Sequence, residues 1–259
     1  MLRLQHLTKR FGEAPLFTDL CMEVDAPVVL WAPSGWGKTT LLRILMGLER
    51  PTTGSVEGTG RVAAVFQEDR LCPQLNAVQN VTLVLPGAEN QYKEQIINDF
   101  QQLGMDTAAL QLPARRLSGG QKRRVAIASI LAMEPKVLIL DEPCAGLDPR
   151  GRDQILDLIR SYRDRTGATV LFVSHSMEDV ARICRRVLVM HRGQVAAYGP
   201  VADVYANAEE LRQMGLNVPQ VTDIFLELRR RGVSCRTDIF TVDDSVREFQ
   251  RLKREGVRL

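Results

Sequence analysis

A chain of 259 residues is long enough for one large domain, or for a domain with a small appendage. Its hydrophobic share of 45% and charged share of 25% are those of a globular protein and exclude a disordered or fibrous chain. The aromatic content of 5% and the net charge of +3 argue against a nucleic-acid partner, which needs stacking rings or a strongly basic surface. No stretch approaches the ~20 apolar residues that cross a bilayer, and the first residues lack an apolar signal core. We therefore expect any link to a membrane to go through a partner.

The five cysteines stand far apart and show no Cys-x-x-Cys spacing: Cys21, Cys72, Cys144, Cys184 and Cys235. Isolated cysteines of this kind are typical of reduced thiols in the cytosol. The sequence therefore predicts neither disulfides nor a metal role for them.

The first part of the chain predicts a buried strand, a helix and then a change of composition. Residues 28–31 form an apolar run typical of a buried strand, and residues 39–46 have the pattern of a helix. Glycines then punctuate short β-like pieces that end at 62–66. From about residue 68 to 117 Asn and Gln are frequent and the apolar period is mostly helical, which predicts a helical insertion.

The second part of the chain repeats strand and helix. Two apolar runs rich in β-branched residues, 137–140 and 169–173, are each followed by a helical pattern, which implies a parallel α/β sheet. A hairpin is predicted over 187–194. The tail after about residue 205 shows two weaker helical patterns, around 207–215 and 219–231.

The strongest local signal lies between the first strand and the first helix, in the segment Ala32-Pro33-Ser34-Gly35-Trp36-Gly37-Lys38-Thr39. Glycines let a backbone wrap a polyphosphate, and the amides of such a loop and of the next helix point at the anion. Lys38 would reach the β- and γ-phosphates, and Thr39 would place a hydroxyl on Mg²⁺. The alternative is a structural turn between a strand and a helix.

Two residues depart from the usual phosphate-loop pattern. Ala32 stands where the first glycine is expected, and Trp36 is large for a tight loop. If Ala32 must adopt a positive φ, a strain of about 1–2 kcal/mol is expected. Ala32→Gly combined with Trp36→Ser should then tighten ATP binding several-fold.

The strand at 137–140 ends in two adjacent carboxylates, Asp141 and Glu142. Because neighbouring side chains of a strand point to opposite sides, the two acids can have separate roles. Asp141 suits a contact with Mg²⁺, and Glu142 suits a general base for an attacking water. Without the phosphate loop, both could equally be ordinary residues at the start of the next helix.

A third signal is the segment Leu117-Ser118-Gly119-Gly120-Gln121, which precedes a helical pattern. Ser118 can cap that helix, and the two glycines leave its first N–H groups open to an anion. A simple helix cap explains Ser118, but it does not explain both glycines and Gln121.

With these motifs the chain resembles the nucleotide-binding subunits of ATP-binding cassette (ABC) proteins, whose signature LSGGQ is intact at 117–121. The resemblance covers about residues 1–205 and implies a P-loop NTPase core with an N-terminal antiparallel β subdomain and a helical subdomain over about 68–135. Residues 206–259 would be a C-terminal extension. ATP and Mg²⁺ are the implied cofactors.

The resemblance also assigns roles by motif position. Phe11 looks like the aromatic residue that stacks on adenine, and Gln67 looks like the glutamine that senses Mg²⁺ and the membrane partner. His175 resembles the switch histidine that contacts the γ-phosphate. Asp148 lies in a segment similar to the loop that communicates across the dimer. The remaining nucleotide contacts implied are Ser34, Gly35, Gly37, Lys38, Thr39, Thr40, Ser118, Gly119, Gly120 and Gln121, with Thr39, Gln67 and Asp141 at the metal.

In this family two cassettes face head to tail, and each ATP lies between the phosphate loop of one and the LSGGQ segment of the other. The resemblance therefore implies a second ATPase subunit, identical or different, and a separate transmembrane subunit. It also implies a location in the cytoplasm, at the inner face of the cell membrane.

The two halves resemble different importer ATPases. Residues 1–117 are similar to those of nitrate, sulfonate and taurine importers, and residues 118–259 to those of energy-coupling factor importers for metal ions or vitamins. We favour the energy-coupling factor type; the alternatives are a nitrate- or sulfonate-type ATPase, a catalytically weak cassette of a heterodimer, and a non-transport ABC ATPase. If the halves act separately, the first should govern docking to the membrane subunit and the tail should govern cassette pairing.

Charged and histidine residues outside these motifs are interpreted as structural. The basic clusters 122–124 and 229–231 read as solvated helix faces, with a contact to head groups or a partner subunit as the alternative. His6 and His191 belong to no motif and are expected to be structural.

Overall fold

The computed structural model describes residues 2–24, 27–33, 35–58, 60–87, 92–174, 176, 179 and 182–257. These residues fall into two compact units. One unit comprises Met1–Leu2 and Gly58–Val173, and the other comprises Arg3–Glu57 and Ser174–Leu259.

The strands of the described residues, in chain order, are β1 (Leu2–Phe11), β2 (Ala14–Val24), β3 (Val28–Trp31), β4 (Thr53–Gly58), β5 (Val62–Val65), β6 (Val137–Asp141), β7 (Thr169–Val173), β8 (Arg186–His191) and β9 (Gln194–Pro200). The α-helices are α1 (Lys38–Leu45), α2 (Ala77–Thr82), α3 (Lys93–Gln102), α4 (Thr107–Gln111), α5 (Gly119–Ala132), α6 (Pro149–Thr166), α7 (Val201–Ala206), α8 (Ala208–Gln213), α9 (Gln220–Arg230) and α10 (Val242–Arg254). A 3₁₀ turn spans Ala114–Arg116.

The unit around 58–173 contains a parallel sheet and the predicted helical insertion. β5 pairs with β6 in parallel, with Val62 opposite Val137. β6 pairs with β7 in parallel, with Asp141 opposite Val173. Every residue of β7 is buried, as expected of a parallel strand covered on both faces. The carboxyl ends of these strands therefore place Asp141 at one edge of the sheet.

The helical insertion has its own apolar core. The buried residues of α2, α3 and α4 pack with Leu117 and Val125 at the start of α5. Asn80 is buried in α2, and its side-chain amide bonds backbone groups of Cys72, Leu75 and Asn76, which fixes the segment leading into that helix. The prediction of helices between residues 68 and 117 agrees with this structure.

The other unit contains the strand and helix that flank the phosphate loop. β3 pairs with β8 in parallel, and β8 pairs with β9 in antiparallel fashion, so the predicted hairpin is present. A separate sheet has the order β2-β1-β4. β1 and β2 are joined by a two-residue turn that contains Gly12, whose φ is 64°.

The tail folds around a small core of its own, formed by Phe225, Cys235, Ile239 and Leu252. α8 and α9 correspond to the two predicted helical patterns, whereas α7 and α10 were not predicted. The apolar residues of α10, Val242, Val246, Phe249 and Leu252, recur at helical spacing, although Ser245 and Glu248 are also among its buried residues. Within the described ranges, no helix combines the length and apolar character needed to cross a bilayer.

Candidate nucleotide-binding site

The loop between β3 and α1 has the backbone conformation that its glycines predict. Gly35 and Gly37 have φ values of 85° and 82°, in the left-handed region that favours glycine. A Cβ atom on Gly37 would also lie 2.8 Å from the side chain of Leu16. Glycine is therefore required at position 37 for two reasons. Ser34 lies outside the described residues.

The ammonium group of Lys38 turns back over this loop. Its Nζ donates to the carbonyl oxygens of Ala32, at 2.6 Å, and Pro33, at 3.0 Å. Lys38 is the first residue of α1, whose first turn contains no acidic side chain and whose N-terminus has no side-chain cap. A cation, a run of backbone amides and the positive end of the helix dipole thus converge here, which is an arrangement suited to phosphate oxygens.

Thr39 and Thr40 occupy the same turn of α1. Thr39 is exposed and Thr40 is half-buried. Both residues therefore belong to the turn whose amides would meet an anion.

The two unusual loop residues are accommodated without the predicted strain. Ala32 is buried and is not among the non-glycine residues with a positive φ. The ring of Trp36 lies against the imidazole of His191, at the end of β8, with centroids 5.2 Å apart and planes at 30°. The expected strain at Ala32 was wrong because this position keeps a backbone conformation that alanine adopts readily.

Phe11, at the end of β1, presents its ring to solvent. Its relative exposure of 59% is high for a large apolar side chain. The Lys9 ammonium lies 5.0 Å from the ring centroid and is fixed by the Glu49 carboxylate, at 2.6 Å, and by the carbonyl of Arg50. Lys9 holds the pKa of Glu49 below its ordinary value, chiefly through this hydrogen bond. One ring face is thus supported by a cation, and a planar base could stack on the exposed part.

In the other unit, Asp141 ends β6 and Glu142 follows in a strained conformation. Glu142 has a φ of 49°, which is uncommon for a residue other than glycine and costs on the order of 1–3 kcal/mol. Its N–H donates to the carbonyl of Val173 at 2.9 Å, which extends the pairing of β6 with β7 by one residue. Both carboxylates are half-buried. Because such strain persists only when its surroundings enforce it, the pairing with Val173 helps to hold the Glu142 backbone in this conformation.

The LSGGQ segment begins α5 with a capping box. Ser118 Oγ accepts from the N–H of Gln121 at 3.3 Å, and Gln121 Oε1 accepts from the N–H of Ser118 at 2.9 Å. A helix cap therefore explains Gln121 as well as Ser118, contrary to the expectation from sequence. It leaves Gly119 unexplained, because a Cβ there would meet no atom within 4 Å, whereas a Cβ on Gly120 would lie 3.2 Å from the side chain of Leu147.

Asp148 also acts as a helix cap. Its Oδ1 accepts from the N–H of Gly151 at 2.6 Å, at the start of α6, and Pro149 takes the first helical position. The side chain of Asp148 is exposed. Its role at a cassette interface stays a prediction. Gln67 is exposed as well, and His175 lies outside the described residues.

Sequence analysis missed Arg123, which it assigned to a solvated basic face. The side chain is 4% exposed and lies on α5. Its guanidinium donates to six oxygen atoms, namely the carbonyls of Phe66, Gln67, Asp141, Glu142 and Pro143 and the Asp69 carboxylate. The spacing of 123 with 126 and 127 places it on the buried face of α5, and this was the available signal. One buried cation thus joins the LSGGQ helix to the backbone at Gln67, Asp141 and Glu142.

Comparisons with known proteins show which family the chain is similar to. The family model described as ABC transporter matches residues 18–145. A curated relative from Symbiobacterium thermophilum, named energy-coupling factor transporter ATP-binding protein EcfA2, is 43% identical over an alignment of 237 positions that covers 83% of this chain and 81% of the relative. A match of that extent includes residues on both sides of position 118.

Two solved structures have the same fold. The chain is similar to cbiO1 from Clostridium perfringens, described as part of the ABC transporter complex cbiONQ, with 28% identity and a TM-score of 0.69 over 89% of this chain and 96% of that one. It is also similar to a dimeric ATP-binding cassette in a post-hydrolysis state bound to ADP and Pi, with 26% identity and a TM-score of 0.70 over 78% and 99% of the two chains. The predicted fold class, an ABC-type α/β core, is confirmed.

Proposed function

The chain belongs to the ABC transporter ATPase family, and from this premise we propose that it is the ATP-hydrolysing subunit of an energy-coupling factor importer. The observation that carries the proposal is the 43% identity with a relative named as the ATP-binding protein of such a transporter. The phosphate loop, the acid pair and the LSGGQ segment described above supply the chemistry.

ATP binding is assigned to the unit that contains the phosphate loop. The amides of Gly35, Gly37 and the first turn of α1 would hold the triphosphate, while Lys38 exchanges its two carbonyl partners for phosphate oxygens. Phe11 would stack on the base with its exposed ring. Ser34 and Thr40 complete the proposed contacts.

Magnesium fits the donor chemistry of the proposed metal residues. The hydroxyl of Thr39, the carboxylate of Asp141 and the side-chain amide of Gln67 all offer oxygen, which is the ligand type that Mg²⁺ prefers. When bound, the ion would neutralise charge on the phosphoryl group being transferred. These residues therefore support Mg²⁺-dependent hydrolysis.

Glu142 is proposed as the general base. A carboxylate held in one direction by a strained backbone can accept a proton from a water as that water attacks the γ-phosphate. His175 is proposed to contact the same phosphate. Arg123 positions the backbone on which Gln67 and Glu142 stand.

The open start of α5 is proposed to act on a second cassette. In a head-to-tail pair, the amides at Gly119 and Gly120, with Ser118 and Gln121, would reach the γ-phosphate bound by the partner, and Asp148 would lie at the interface. ATP would thus hold the pair together and hydrolysis would release it. The partner ATPase is identical or different, and a transmembrane subunit completes a complex at the cytoplasmic face of the membrane.

Coexpression tests the assignment to an importer class. The chain is produced with the transmembrane subunits of an energy-coupling factor importer and, separately, with those of a sulfonate-type importer, and each complex is purified through the membrane subunit. We expect stoichiometric recovery with the energy-coupling factor subunit and stimulation of ATP hydrolysis in that complex. Recovery with the sulfonate-type subunit alone would contradict the assigned class, and a complex without hydrolysis would indicate a catalytically weak cassette.

A further inference from the structure

A histidine, a carboxylate and a thiol that belong to none of the motifs discussed above converge on the exposed surface of the β1–β2 pair. His6 Nδ1 lies 2.7 Å from Asp19 Oδ1 and 3.6 Å from Cys21 Sγ. Among the described residues, this is the one group of three or more His, Cys, Asp or Glu side chains whose potential ligand atoms all lie within 4.8 Å of one another. We propose that these three residues form a binding site for a thiophilic divalent transition metal ion such as Zn²⁺.

The distances suit tetrahedral coordination. Bond lengths of about 2.0–2.1 Å to nitrogen or oxygen and about 2.3 Å to sulfur place neighbouring ligand atoms about 3.4–3.6 Å apart. The separation of 3.6 Å between His6 and Cys21 already has this value. The shorter separation of 2.7 Å between His6 and Asp19 is that of a hydrogen bond, which the ion would replace by displacing its proton. Water would supply the fourth ligand, as in zinc sites with three protein ligands.

The backbone beneath the cluster is fixed in an unusual conformation. His6 and Asp19 both have a positive φ, at 50° and 54°, a region that is uncommon outside glycine but that histidine and aspartate adopt more often than most residues. The N–H of Asp19 donates to Thr8 Oγ1 at 3.0 Å, and Gly54 passes so close to His6 that a Cβ there would lie 2.3 Å from the His6 carbonyl oxygen. Two strained positions on neighbouring strands thus aim an imidazole and a carboxylate at each other.

The sulfur of Cys21 has a hydrogen-bond partner within the cluster. It accepts a hydrogen bond from the N–H of His6 at 3.3 Å. The sulfur thus already lies in contact with the His6 backbone as well as near its ring. Once bound, a divalent cation would have its charge balanced by one carboxylate and one thiolate ligand. The high exposure of His6 and Asp19, at 79% and 73%, leaves the side-chain tips able to adjust to the ion.

Cobalt(II) is the probe for this site, because thiolate ligation gives it a charge-transfer absorption that oxygen ligands do not produce. The full-length chain is titrated with Co²⁺ without nucleotide, and Zn²⁺ is then added in competition. The variants are Cys21→Ser, which keeps the side-chain size, and His6→Asn, since asparagine tolerates a positive φ. Cys72→Ser, which alters a half-buried cysteine elsewhere, is the matched control.

We expect the unmodified chain and Cys72→Ser to show the thiolate band, saturating at one ion per chain, and to lose it when Zn²⁺ is added. Cys21→Ser should abolish the band, and His6→Asn should weaken Co²⁺ binding by about tenfold or more. Alkylation of Cys21, followed by mass spectrometry, should slow on Zn²⁺ addition in the unmodified chain. The proposal is overturned if the unmodified chain shows no thiolate band, if Cys21→Ser retains it, or if His6→Asn binds Co²⁺ as tightly as the unmodified chain.

Discussion

Arg123→Met should destabilise the unit around residues 58–173 and slow ATP hydrolysis. Methionine fills a similar apolar volume, so the change chiefly removes a buried cation with its five N–H donors. The five carbonyls that it serves belong to the segments that carry Gln67, Asp141 and Glu142. The ion partner, Asp69, has a side chain only 18% exposed and would lose its cation.

The size of the effect follows from this burial. Removing one partner of a buried ion pair typically costs about 3–5 kcal/mol, because the other charge is left uncompensated. The carbonyls add to that cost to the extent that water cannot reach them. Lysine would keep the charge but offers one ammonium in place of a planar fork, so Arg123→Lys should recover only part of the stability.

Denaturant unfolding measures the stability loss, and steady-state ATP hydrolysis measures the functional one. We expect Arg123→Met to lower the unfolding midpoint and, in the folded protein, to reduce kcat more than it raises the KM for ATP, because Lys38 and its loop are unchanged. Arg116→Met, at an exposed arginine, is the control and should alter neither quantity. An Arg123→Met protein with unmodified stability and kcat would refute the positioning role.

Two further predictions follow from the structure. Ala32→Gly should change ATP affinity by less than about twofold, because Ala32 has no positive φ for glycine to relieve; tightening by fivefold or more in a nucleotide titration would contradict this. Glu248 is 2% exposed beside Arg251, whose hydrogen bond holds the pKa of Glu248 below its ordinary value of 4.5. The stabilisation that ionised Glu248 gives to the folded state is therefore complete above its ordinary pKa and is lost as the pH falls through the lowered pKa. For that reason Glu248→Gln should lower the thermal unfolding midpoint more at pH 7 than at pH 3. An equal loss at both pH values would show that the effect is not electrostatic.

Strands β3 and β7 could be predicted because they are short, apolar and bounded by turns. The runs at 28–31 and 169–173 became β3 and β7 with unchanged bounds. By contrast, α10 was not predicted although Val246, Phe249 and Leu252 recur at helical spacing, because charged residues fill most positions between them and one of these, Glu248, is buried. Glu248 is stable there only because of Arg251 and the N–H of Arg236, contacts that a linear pattern does not reveal.

In the candidate site too, features with a local cause could be predicted, whereas contacts between residues distant in the chain could not. The glycines of the phosphate loop have a local conformational reason, so their positions could be predicted from sequence. Arg123 acts through carbonyl groups 18 to 57 residues away, and only the fold brings these to it. His6 similarly meets Asp19 and Cys21 across strands, at separations of 13 and 15 residues that match no metal-binding motif.

The central claim is that this chain hydrolyses ATP with Glu142 as the base, and phosphate release by Glu142→Gln tests it most directly. Purified unmodified chain, Glu142→Gln and the exposed control Glu94→Gln are incubated with Mg²⁺ and ATP, while nucleotide retention and dimerisation are followed in parallel. We expect Glu142→Gln to retain ATP and dimerise but to release almost no phosphate, and Glu94→Gln to behave as the unmodified chain. Phosphate release by Glu142→Gln at the unmodified rate would contradict the account.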